Sequence, residues 1–414
     1  MKDVTRFALA NGLRVVHHYN PGAAMAMVDV LYDVGSRDER PDRTGMAHLF
    51  EHLMFGGSVN VADFDGELQR AGGMSNAWTS QDFTNFYDIL PCGNIETALW
   101  LESDRMLSLA FSEKALRVQR SVVVEEFKQA CLNRPYGDME HHLKSLCYLE
   151  HPYRYPVIGK DFSHIEGVSQ DYVRSWFASH YAPNNAILAA SCDIPADEFG
   201  KMVERWFGDI PRRDIPRRHL PVEPLPSGPR HKEVSGDVPQ TCITIAYPMA
   251  GYGSPAYFAA DLVSDVLSNG RSSRFYRKLL APGRLFADVD CCIAGTEDPG
   301  LMLVTARLLG NGPEAEAEAR AAIDREIVRL IEGGVADDEL RRCLNRLESS
   351  RTFDMLGLMN RVQALAVAEY HGEDAATSFE QNYLPLTPGS VRDTAVEIFD
   401  PSRAMALVYR SGKG

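Results

Sequence analysis

The chain has 414 residues, 45% of them hydrophobic and 24% charged, which is the balance of a globular protein long enough for more than one core. Its formal net charge of -14 argues against a nucleic-acid partner, which calls for a basic surface. No stretch reaches the roughly 18 uninterrupted apolar residues of a membrane span, and the opening MKDVTRFALANGLRVV lacks the charged-then-apolar layout of a secretory signal. Eight cysteines (92, 131, 147, 192, 242, 291, 292, 343) are scattered without a C-x-x-C pair and sit mostly in apolar surroundings. They read as reduced core thiols, and the expectation is a soluble, cytoplasmic protein with no membrane partner.

In chain order, the alternating run Met25–Tyr32 predicts a strand, followed by a helix over 45–56. Further helices are expected over Leu90–Ser108 and from about Ser112. Residues 207–230, FGDIPRRDIPRRHLPVEPLPSGPR, hold six prolines and five arginines, so neither a helix nor a central strand can run through them. Beyond them a strand is expected at Thr241–Tyr247 and a helix over Ala256–Leu267, and Asp337–Ser349 echoes Ser112–Phe127. The repeated order suggests a duplicated α+β unit. The expected fold is two homologous α/β-sandwich domains, each a mostly antiparallel sheet packed against helices: 1–206, then a linker at 207–230, then 231–414.

The stretch TGMAHLFEHLMFGG at 44–57 places His48, Glu51 and His52 within an apolar helix that Thr44 can cap and Gly56-Gly57 can end. Histidines at i and i+4 share a face, so both rings can reach one Zn²⁺ at roughly 2.0–2.1 Å. Glu51 falls beside that face, close enough to act as a general base without being a ligand. By residue frequencies H-x-x-E-H arises by chance in a chain this long on the order of one time in a hundred, which disfavours the bland reading of two core histidines. The second half has no such cluster, so the chemistry belongs to the first. A catalytic zinc generally has three protein ligands. The third is sought in the helix from Ser112, where Gln119, Val122, Val123 and Glu126 form one stripe and Glu125 lies on its flank. Glu126 is taken as ligand and Glu125 as its solvated neighbour; His141 and His142, on what reads as an exposed helical face, are the alternatives.

With these residues in place the sequence resembles the inverzincin family of pitrilysin, insulin-degrading enzyme and mitochondrial processing peptidase, whose signature is H-x-x-E-H. The likeness covers most of the chain. It includes Val34-Gly35-Ser36-Arg37-Asp38-Glu39, the His48–His52 motif, Gly72–Thr79 (GGMSNAWT), Glu125-Glu126, His151-Pro152-Tyr153 and Tyr181–Asn185 (YAPNN). The length resembles the short members, which assemble from two chains into a clamshell around a closed chamber. The resemblance implies one zinc per chain held by His48, His52 and Glu126, with Glu51 as base. It also implies an edge strand around Asn76 and Ala77 to which a peptide adds as a further strand.

Two departures from the family pattern, at three positions, stand out. Gln119 stands where a second glutamate is usual, which lowers the charge surrounding the metal ligands. In the second half, Leu280 and Ala287 stand where the family carries an Arg and a Tyr, and neither can donate a hydrogen bond to a substrate carbonyl; a shifted register would offer Arg277, Arg284 and Tyr276 instead. The expectation is therefore a zinc endopeptidase subunit acting on peptides, in a hetero-oligomer whose homologous partner lacks H-x-x-E-H and supplies the missing pair; a homodimer is the other arrangement. The competing readings are a non-catalytic scaffold subunit of a larger complex and a peptide-binding module with structural zinc.

Overall fold

The structure, a computed structural model, describes residues 3–412, which form two compact units. The first takes the chain up to Lys128, Tyr155–Leu220 and Thr352–Ser378; the second takes Gln129–Arg154, Pro221–Arg351 and the chain from Phe379 onward.

In the first unit, β1 (Val4–Ala8), β2 (Arg14–Tyr19), β3 (Met25–Tyr32), β4 (Met74–Thr79), β5 (Thr84–Pro91) and β6 (Ala186–Cys192) make a sheet in the order β1-β2-β6-β3-β5-β4. Only β2 and β6 run parallel. The strand β3 has the bounds its alternation predicts. Its Ala26, Val28, Val30 and Tyr32 enter the core that holds the Met46–Leu53, Ile95–Leu107 and Ala196–Phe207 helices. Its Met27 and Leu31 point the other way, under Val362, Leu365 and Ala366 of the Leu358–His371 helix. A sheet covered on both faces needs apolar residues at nearly every position of its central strands. This is why Leu90 and Pro91 belong to β5, and why the helix expected from Leu90 begins only at Ile95, after a 3₁₀ turn at Cys92–Asn94.

In the second unit, β7 (Arg230–Gly236), β8 (Cys242–Pro248), β9 (Phe286–Ala294), β10 (Leu301–Leu308) and β11 (Met405–Ser411) lie in the order β7-β11-β8-β10-β9, with β7 and β11 parallel. With β1 set aside, this order matches that of the first sheet strand for strand. One face packs on the Pro255–Ser268 and Pro313–Gly333 helices. On the other, Ala246, Met405 and Leu407 meet Leu143 and Cys147 of the Met139–Cys147 helix.

Each sheet thus takes its outer cover from the opposite half of the sequence. The single division expected at 207–230 differs from the compact units in these two segments, because burying the outer face of each sheet requires a helix its own half does not supply. Nor is 207–230 a loose tether. Arg213 donates to the carbonyls of Tyr181 (2.7 Å) and Leu107 (2.9 Å), and Arg218 pairs with Asp38 and Asp33. In the second unit the Glu223 carboxylate accepts the N–H groups of Leu149, Glu150 and His151. All eight cysteines are free thiols, six of them buried, with Cys92 half-buried and Cys292 exposed. Among the described residues no helix is long and apolar enough to cross a membrane.

One polar residue of the first sheet sets a pH dependence. Asp29 is fully buried on β3; one carboxyl oxygen accepts from Asn85 Nδ2 at 2.8 Å and the other has no partner among the described residues. Burial pushes its pKa from 3.8 up to about 8, with the Asn85 hydrogen bond pulling back. Between those values the folded chain holds a proton that the unfolded chain does not. The resulting stability is full below the unfolded value and is lost as pH rises through the folded one, by at most ~1.4 kcal/mol per pH unit. Asp29→Asn is expected to flatten that decline. Urea unfolding of both proteins from about pH 5 to about pH 8 checks it; parallel stability curves would show that Asp29 contributes nothing.

Candidate metal centre

The Met46–Leu53 helix buries Met46, Ala47, Leu49, Phe50 and Leu53, which leaves His48, Glu51 and His52 on its remaining face. Its start differs from expectation. Thr44 is fully buried and its hydroxyl is used elsewhere, 2.9 Å from His164 Nδ1 and accepting the Lys160 N–H at 2.7 Å. The N-cap is Gly45, at φ 85, where an added Cβ would lie 2.9 Å from the Ile158 carbonyl oxygen. The first-turn N–H groups are taken instead by Glu39, whose two carboxylate oxygens accept from Gly45 (2.7 Å) and Ala47 (2.8 Å). Burial pushes the Glu39 pKa up to about 8, and the two amide hydrogen bonds pull it back.

The Glu113–Phe127 helix begins where expected, with the Ser112 hydroxyl accepting the Ala115 N–H at 3.0 Å. It buries Leu116, Val123, Val124 and Phe127, and this rotation turns Glu126 toward the histidines. The Glu126 Oε2 atom lies 3.3 Å from His48 Nε2 and 3.4 Å from His52 Nε2. Ligand atoms about 2.0–2.1 Å from a tetrahedral zinc stand roughly 3.3–3.4 Å from each other. Both distances therefore suit a shared zinc ion, and all three donors fall within 4.8 Å of one another. This is the one such group among the described residues. The His48, His52 and Glu126 side chains are 14%, 24% and 45% exposed, so the point they surround has an open side for water or substrate.

The other candidates lie elsewhere. Glu125 is exposed and paired with Lys128 at 2.7 Å. His141 and His142 sit on the Met139–Cys147 helix of the second unit, with His142 Nε2 3.0 Å from Asp138. Gln119 is half-buried two turns before Glu126 and makes no hydrogen bond to the cluster among the described residues. Leu280 ends a π-helical turn, partly buried against the second core, and Ala287 is exposed on β9; Arg277 and Arg284 are exposed, and Tyr276 is half-buried.

The charges at the centre are strongly linked. Burial opposes a charge on His48, but hydrogen bonds to Glu126 and Glu51 outweigh it and raise its pKa to about 9. Hydrogen bonds to His48 and His52 hold the Glu126 carboxylate well below the usual range. Burial pushes Glu51 up, while its contacts with His48 and Thr79 outweigh this and lower it. Glu51 thus stands ionised beside the donor trio; its Oε2 is 3.4 Å from His48 Nδ1 and accepts from the Thr79 hydroxyl at 2.5 Å.

Thr79 closes β4, which is the edge of its sheet and pairs only with β5. Asn76 and Ala77 lie on this strand; Asn76 is exposed, and its Oδ1 accepts the Ala77 N–H at 2.9 Å. Sequence reasoning missed Thr79 and Glu39. The signal for Thr79 was its place two residues after Ala77 on the strand face turned toward the helices. Glu39 had no local signal, since it caps a helix six residues away.

An H-x-x-E-H helix packed on a mostly antiparallel sheet, with an acidic donor from a second helix, defines the inverzincin class of metallopeptidase folds. Residues 14–161 match the insulinase (peptidase family M16) family and residues 167–347 match the peptidase M16 inactive domain. The zinc protease PqqE of Helicobacter pylori is 27% identical over 97% of this chain and 91% of its own length. The mitochondrial-processing peptidase subunit beta of Saccharomyces cerevisiae is 25% identical over 63% of this chain and 57% of its own. The crystal structure of a protease from Helicobacter pylori superposes with a TM-score of 0.91 at 25% identity, covering 98% of this chain and 99% of that one. The chain belongs to the M16 peptidase family.

The Glu39 cap yields a stability prediction. Glu39→Ala leaves two amide N–H groups without their acceptor and is expected to cost about 1–3 kcal/mol. Urea unfolding at neutral pH measures it, and a change below a few tenths of a kcal/mol would mean that water or another group replaces the carboxylate.

Proposed function

We propose that this chain is a zinc-dependent endopeptidase subunit that hydrolyses peptides or short unfolded segments, with one zinc per chain held by His48, His52 and Glu126. The observation that carries the reading is the meeting of three donor atoms beside a partly buried Glu51 whose carboxylate lies 3.4 Å from His48 Nδ1. Zinc, when bound, supplies Lewis acidity that makes water nucleophilic near neutral pH. Glu51 takes a proton from the attacking water and later returns one to the leaving nitrogen. The free edge of β4 offers backbone N–H and C=O groups around Asn76 and Ala77, so a peptide can pair as an added strand and be held extended with little regard to its sequence.

With Leu280 and Ala287 in place of hydrogen-bond donors, the chain needs a homologous partner to supply an Arg and a Tyr, the two chains closing a clamshell chamber. That a relative is named as a subunit supports this arrangement. The same two residues, and the match of residues 167–347 to an inactive domain, favour a second reading as a non-catalytic scaffold.

Glu51→Gln is expected to keep zinc at the wild-type level and lose on the order of 100-fold or more in peptide hydrolysis. Elemental analysis and cleavage of a fluorogenic peptide, by the chain with whatever partner co-purifies, measure both; equal cleavage by wild type and variant would overturn the role of Glu51. Glu126→Ala is expected to leave clearly less than one zinc per chain after dialysis. The partner requirement is tested by comparing the isolated chain with a mixture containing a related subunit that has the Arg/Tyr pair but no H-x-x-E-H. Full activity of the isolated chain overturns it, and a zinc-loaded chain inactive in both settings favours the scaffold.

A further inference from the structure

We infer that Thr79 is the positioning residue of Glu51, so that the strand offered to the peptide also fixes the base; this rests on the reading of Glu51 as general base. Along β4, Ala77 packs into the core that contains the Met46–Leu53 helix, whereas Trp78 packs on the opposite face of the sheet. Alternation therefore sends the Thr79 side chain to the same side as Ala77, toward Glu51. There its hydroxyl donates to Glu51 Oε2 at 2.5 Å, and His48 Nδ1 lies 3.4 Å from the same oxygen. Both neighbours engage Oε2, which leaves Oε1 to take a proton. A glutamate side chain has three rotatable bonds, and the apolar residues of the helix all point away from it, so the Thr79 hydroxyl selects its orientation.

The backbone behind that hydroxyl is held firmly. Thr79 pairs with Thr84 on β5, Ser80 N–H donates to the Phe83 carbonyl at 2.8 Å, and the buried Arg37 guanidinium donates to Asp82 at 2.8 Å across the turn. As a β-branched residue Thr79 is also stiff at χ1. Asn76 and Ala77 would set the peptide's register only two or three residues from the group that orients the base. Peptide and base are thereby referred to one short piece of backbone.

Two variants test this on the zinc-loaded protein with any partner it requires. Thr79→Val keeps shape and removes the hydroxyl; zinc content and KM are expected to stay within about twofold of wild type while kcat falls on the order of 10–100-fold. Thr79→Ser restores the hydroxyl and is expected to recover most of kcat. A crystal structure of Thr79→Val is expected to show the Glu51 carboxylate turned from its place. A Thr79→Val kcat within about twofold of wild type, a Thr79→Ser as impaired as Thr79→Val, or an unmoved Glu51 in that crystal would each overturn the inference. Should wild type and Glu51→Gln cleave equally, the reading of Glu51 as general base falls by itself, and the crystal structure still decides whether Thr79 orients Glu51.

Discussion

Three donor atoms can meet at one point only if the two helices that carry them cannot slide or turn. Leu49, Phe50 and Leu53 from one helix and Leu116, Val123 and Val124 from the other lie in the same buried core, and this shared packing fixes the rotation of both. Glu39 secures the start of the first helix and Ser112 the start of the second. Interiors packed to crystal-like density resist small displacements. The geometry around His48, His52 and Glu126 is thus set by apolar residues that never touch a substrate.

The local part of the site was legible because its periodicity is local. His48, Glu51 and His52 sit three and four residues apart, and the helix repeat alone puts them on one side. Glu126 could be chosen over Glu125 because it shares a stripe with Gln119, Val122 and Val123; of these apolar neighbours Val123 is buried and Val122 exposed, the helix turning inward on Val123 and Val124. Glu39 and Thr79 were not legible in the same way, since the chain between each and its partner, a short turn for Glu39 and the Phe64–Arg70 helix with β4 for Thr79, follows a path no residue pattern states. The division of the chain fell short for a related reason: the helices Leu358–His371 and Met139–Cys147 carry apolar faces, but nothing in either sequence says which sheet it will cover.

The repeated strand order brings out what distinguishes the two units. In each, a helix follows the strand that occupies the same place in the sheet, Met46–Leu53 after β3 and Pro255–Ser268 after β8. The second helix buries Phe258, Leu262, Val263, Val266 and Leu267 and contains no histidine, so it is core material. The first sets three polar residues on its open side and receives a matching acid from another helix. One architecture thus carries a group of possible metal donors in one unit and packing alone in the other, the difference lying in a few side chains on a common frame.

The exchange of covering helices bears on how the chain comes to be folded. The sheet of the first unit is complete once β6 has been made, yet its outer face stays bare until residues 358–371 emerge, after most of the second sheet has been synthesised. Such long-range closure slows folding and leaves apolar strands exposed meanwhile. A nascent chain of this protein therefore carries an unsealed surface through nearly half of its translation, and a ribosome stalled within the second half would hold a product that cannot finish its first unit.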